Sequence, residues 1–73
     1  MKEFDSVILI TDLPEHKLRV GDVGVIVHKH GRGEAFIVEF MTVKGETVAV
    51  VTLEASKVRP ARSKDMQSVR ALA

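Results

Sequence analysis

The sequence predicts an all-β domain with a short helical tail, on three observations. Its apolar residues fall in short runs dominated by Val and Ile, glycine- and proline-bearing turns separate those runs, and no helical stripe of ten or more residues occurs before residue 63. β-branched side chains fit a pleated surface better than a helix, so runs of strand length bounded by turn residues read as strands. Short strands at this spacing imply a small barrel or sandwich.

The first strand is Val7-Ile8-Leu9-Ile10. Asp12-Leu13-Pro14-Glu15-His16 follows as a loop, with Pro14 barred from a central ladder. Gly21-Asp22-Val23-Gly24 brackets a tight turn into the second strand, Val23 to Val27. Gly31-Arg32-Gly33-Glu34 is a hairpin connection, its glycines free to take positive φ. The third strand is Ala35 to Met41, in which Phe36, Val38 and Phe40 share a face and read as core. Lys44-Gly45-Glu46 turns the chain into the fourth strand, Val48 to Leu53. Glu54-Ala55-Ser56-Lys57 has the look of a single 3₁₀ turn, and Val58-Arg59-Pro60 of a fifth, edge-type strand ended by its proline.

The tail changes character. Ser63 is a candidate cap, Asp65 sits where the helix dipole favours an anion, and Met66, Val69 and Leu72 or Ala73 form a narrow apolar stripe. A helix this short is marginal in water and needs a surface to dock on. The division expected is a domain over residues 3–60 and a tail over 61–73.

Composition narrows the function. The chain has 73 residues, room for one domain whose core is small for its surface. It has no cysteine, which removes disulfides and thiolate metal sites and fits a reducing cytoplasm. The polar N-terminus and the four-residue apolar run after it suit neither a leader nor a membrane span, so a cytoplasmic location is expected. A net charge of +1 is too small for a strong sequence-blind hold on nucleic acid.

No catalytic constellation stands out. Ser6, Ser56, Ser63 and Ser68 lie in no glycine-flanked elbow, and no motif places two carboxylates across a cleft. Gly31-Arg32-Gly33 joins two strands and leads into no helix, so it is turn chemistry and no phosphate cradle. His28 and His30 are two apart on a strand and share a face. They would need His16 or Glu34 as a third ligand to hold a metal, and Lys29 and Arg32 beside them oppose one. The expectation is a non-enzymatic protein without cofactor.

Two binding readings remain. Strands buried on one face should alternate apolar and polar residues, but the first, second and fourth runs are almost wholly apolar. Some of those side chains must face outward and be covered by the tail, by a loop or by another chain. This predicts a protein-interaction module that meets a partner or itself as a homo-oligomer. It would use Ile8, Ile10, Ile26 and Ile37 on the strands with Met66, Val69 and Leu72 on the tail. The alternative is a nucleic-acid surface made by Arg59, Arg62, Lys64 and Arg70. Against it stands the scarcity of stacking rings, since Phe4, Phe36 and Phe40 are the only aromatics. The same scarcity disfavours an aromatic-lined groove for proline-rich peptides.

Gly21-Asp22-Val23-Gly24-Val25-Ile26-Val27 resembles the glycine turn and strand of SH3-like barrels, and Val50 to Pro60 resembles the strand, 3₁₀ turn and last strand that close them. The resemblance implies a small five-stranded SH3-like barrel. Residues 3–60 as a whole resemble the uncharacterised bacterial domain family 4926, through Asp12-Leu13-Pro14-Glu15-His16, Gly21-Asp22-Val23-Gly24, Val38-Glu39-Phe40, Gly45-Glu46-Thr47, Val51-Thr52-Leu53 and Val58-Arg59-Pro60. Similar barrels occur in the nitrile hydratase β subunit and in a small photosystem I subunit, where they serve as accessory pieces. The resemblance implies an accessory or docking role and fixes no activity. For the interaction module the role expected is that of an accessory subunit or of the neutralising half of a two-protein operon pair.

Overall fold

A computed structural model describes residues 1–41 and 47–66. Five antiparallel strands form one sheet in the order β4-β3-β2-β1-β5, so the all-β expectation holds. The strands are β1 (Ser6–Leu9), β2 (Val23–His30), β3 (Ala35–Met41), β4 (Thr47–Glu54) and β5 (Val58–Pro60). A 3₁₀ turn at Ala55–Lys57 carries the chain from β4 straight into β5, which pairs with β1. The two ends of the strand order are thus joined by one short turn of chain.

Register decides which side chains face inward. On the interior, Val7 lies opposite Gly24, which lies opposite Phe40, and Phe40 lies opposite Ala49. The next row is Ile26, Val38 and Val51, and Phe36 faces Leu53 beyond it. With Leu9, Leu18 and Val58 these residues form the buried core. Phe36, Val38 and Phe40 are core residues, as their alternation with Glu39 predicts. The exterior carries Arg59, Ile8 and Val23 in one row and Ser6, Val25, Glu39 and Val50 in the next, with Ile37 opposite Thr52.

The loop between β1 and β2 closes one end of the core. Pro14–His16 forms a 3₁₀ turn, Leu13 and Leu18 bridge each other, and Leu18 drops into the interior. Two aspartates stitch the loop: Asp12 accepts the Val20 N–H at 3.0 Å and Asp22 accepts the Arg19 N–H at 2.9 Å. At the β2–β3 hairpin Gly31 and Gly33 have φ of 60° and 101°, the left-handed conformation expected of them. The Lys44-Gly45-Glu46 connection lies outside the described residues.

The tail begins with one helical turn, α1 (Ser63–Met66). Ser63 is inside that turn and not its cap. Arg62 precedes the helix, and the Asp65 carboxylate reaches back to accept the Arg62 N–H at 2.8 Å, half of a capping box. Among the described residues no helix is long and apolar enough to cross a membrane.

Candidate interaction surface

The structure divides the predicted apolar surface in two. Ile26 is fully buried, because pairing with Val38 turns it into the core and away from any partner. Ile8 does lie on the exterior face, yet it is only 3% exposed. Its cross-strand neighbours there are Val23 and Arg59. Neighbours of this kind have Cβ atoms about 5 Å apart, so Ile8 lies between the bases of the Val23 and Arg59 side chains. The Arg59 guanidinium holds Asp65, which brings the first turn of the tail to the same side. Ile8 and Ile26 are therefore corrected from docking residues to buried ones.

Ile10 remains 46% exposed just past the end of β1, with its N–H donated to the Lys57 carbonyl. Ile37 is half-buried on the exterior of β3. Met66 ends α1, and Val69 and Leu72 lie outside the described residues. Ile10 follows β1 and Ile37 belongs to β3, and β2 lies between those two strands.

Part of the exposed apolar surface lies on β4, and Val20 in the β1–β2 loop is 58% exposed apart from it. Val50 is 57% exposed and Val48 is exposed beside it, while Val25 and Ile37 are half-buried on the neighbouring strands. Glu39 sits between Val25 and Val50 in the exterior row, and its carboxylate accepts the Thr47 hydroxyl at 2.6 Å. The result is an aliphatic strip with one carboxylate already engaged. Val48 and Val50 were legible as apolar, but nothing local marks them as exposed. The order of the sheet does so, by leaving β4 at its end.

A second exposed group surrounds Phe4, which is 77% exposed and has a φ of 71°. The backbone here is pinned. Phe4 donates its N–H to the Ile26 carbonyl at 2.6 Å, and Asp5 accepts the Ile26 N–H at 3.0 Å. These bonds cap the point where Val27 is inserted as a bulge in β2. Nearby, His28 Nδ1 lies 3.4 Å from a Glu3 carboxylate oxygen, and the His28 and His30 rings meet edge to face at 4.8 Å. The two histidines share a face, as their spacing predicts. Glu34 instead accepts the Arg32 N–H within the hairpin, and among the described residues no three metal-ligating groups converge.

The basic trend near the C-terminus is partly spent within the chain. Arg59 grips Asp65 with both terminal nitrogens, and Arg62 Nε lies 3.7 Å from the same carboxylate. Those contacts hold the Asp65 carboxyl well below the ordinary carboxylate range, first through the Arg59 hydrogen bonds and then through the Arg62 N–H. The guanidinium of Arg59 is raised in turn, chiefly by its hydrogen bonds to Asp65. Lys64 has an interaction of its own, and Arg70 lies outside the described residues.

Comparison with curated proteins and with solved structures gives no match, so the likeness to nitrile hydratase and photosystem I barrels rests on sequence pattern alone. Residues 3–60 match a family described as a domain of unknown function, DUF4926, and over that span the chain belongs to this family.

Proposed function

We propose that this domain is a small non-catalytic protein-interaction module, an accessory piece that binds another chain through the β4 side of its sheet. The observation that carries this reading is Val50, left 57% exposed on the end strand of the sheet, with Val48 exposed beside it and Ile37 half-buried on β3. Burying such side chains against a partner is worth about 1.5–3 kcal/mol each, a large fraction of the stability of a domain this size. The internal use of Arg59 and Arg62 supports protein over nucleic acid, since cations committed to Asp65 are less available for phosphates.

The test is site-specific photo-crosslinking in cells that express the protein. A photoreactive side chain at Val50 should give discrete protein adducts, and the same group at exposed Glu15 in the β1–β2 loop should not. No adduct at Val50, or equal adducts at both positions, overturns the reading.

A further inference from the structure

The sheet has two edges, and they are built differently. β5 is three residues long, carries a cation at Arg59 and ends in Pro60. Shortness, charge and proline are the devices by which natural sheets discourage pairing at an edge. β4 has none of them. It is eight residues long and reads Thr-Val-Ala-Val-Val-Thr-Leu-Glu, without Lys, Arg, Pro or Gly. A register shift lies at its start, after which Ala49 to Glu54 run in unbroken register with Phe40 to Ala35. Among the described residues no main-chain group pairs with its far side.

We propose that this edge pairs with the β4 edge of a second copy of the chain, antiparallel, about a two-fold axis normal to the sheet and centred on Val51. The proposal rests on the interaction reading above and names its partner. Such an axis keeps interior faces interior and exterior faces exterior, so only side chains of the same face come opposite one another. Val51 meets its own counterpart, and Ala49 meets Leu53 of the second copy. Each of these side chains already faces the core, so the two cores become continuous across the edge. On the exterior Val50 meets Thr52 of the second copy, a β-branched pair of the kind that stabilises sheets.

Charge selects this arrangement. Glu54 is the only ionisable residue of β4. Antiparallel pairing sets the two carboxylates about 20 Å apart along the strands, beyond the screening length of physiological salt. Parallel pairing would stack them about 5 Å apart. A foreign peptide would have to match both alternating faces at once, whereas a second copy does so by symmetry.

The chain has no cysteine, so an introduced one is unique. Equal amounts of the Val50→Cys and Thr52→Cys proteins, mixed and mildly oxidised, should yield mainly the mixed 50–52 disulfide, with far less of either self-linked form. Glu54→Cys should yield no linked dimer. By light scattering the wild-type chain should have twice the monomer mass, and Val50→Lys should have the monomer mass with an unchanged circular dichroism spectrum. A monomeric wild type, a Val50→Lys protein that stays dimeric, or ready self-linking of Glu54→Cys overturns the proposal. If the Val50 photo-adduct contains a different protein and the purified chain is monomeric, self-pairing falls and the interaction reading stands. If Val50 gives no adduct at all, both fall.

Discussion

Arg59 and Asp65 meet as a two-pronged pair, with Nη1 2.9 Å from Oδ2 and Nη2 2.9 Å from Oδ1. The fork of a guanidinium matches a carboxylate in this way and a lysine ammonium cannot. Because Arg59 belongs to β5 and Asp65 to α1, the pair fastens the first turn of a marginal helix to the sheet. Asp65 titrates below its ordinary range, so its contribution to this anchor is complete above the unfolded carboxyl value of about 3.9. It is lost only as pH falls through the depressed folded value. In an NMR titration the Asp65 carboxyl carbon should therefore keep its ionised shift where ordinary aspartates have begun to protonate. Arg59→Leu should raise its midpoint toward, but not to, the ordinary value, because the Arg62 N–H still donates. A midpoint unmoved by Arg59→Leu would refute this account.

Gly24 is required by packing and not by its backbone angle. A Cβ there would lie 2.6 Å from Val38 Cγ1 and 3.0 Å from both the Glu39 carbonyl oxygen and Phe40 Cδ1. One of those atoms is main chain within the paired sheet and cannot move cheaply. Gly24→Ala should cost about 1–3 kcal/mol, seen as a lower urea midpoint. An unchanged midpoint would mean that β2 and β3 can separate without penalty.

Asp22 is only 2% exposed, and its side chain and main chain hold the turn before β2 together. Its side chain accepts the Arg19 N–H, its carbonyl accepts the Leu9 N–H at 2.9 Å, and its own N–H goes to the Arg19 carbonyl at 3.1 Å. Asp22→Ala removes the first of these and leaves a donor without its acceptor. The expected loss is about 1–3 kcal/mol in chemical denaturation, with Asp22→Asn losing less because its amide oxygen can still accept.

Phe4 carries left-handed backbone that costs an ordinary L-residue about 1–2 kcal/mol, while its exposed ring gains little from burial. Asn adopts this conformation more readily. Phe4→Asn should leave the fold intact and raise stability by about 0.5–1 kcal/mol. A loss of stability would show that the ring packs on the sheet in solution.

Where polar and apolar residues alternate, the sequence carried enough to assign faces. Glu39 between Val38 and Phe40 marks the outside of β3, and the interior positions of that strand follow from it. The turns were legible for the same local reason, since Gly21, Gly31 and Gly33 all take the positive φ that turns demand. Within the apolar runs at residues 7–9 and 23–27 no polar residue marks a side, so Ile8 and Ile26 could not be placed by pattern. A one-residue change of parity moves every side chain of a strand to the other face.

The amino-acid sequence by itself thus determined the strands, their turns and the interior of β3, because propensity and alternation act over a few residues. Only the tertiary structure decided that Ile26 faces Val38, that Arg59 lies opposite Ile8 and reaches Asp65, and that Val50 is left on an open edge. Each depends on which strands lie side by side, and pairing between segments far apart in the chain is fixed by the assembled sheet.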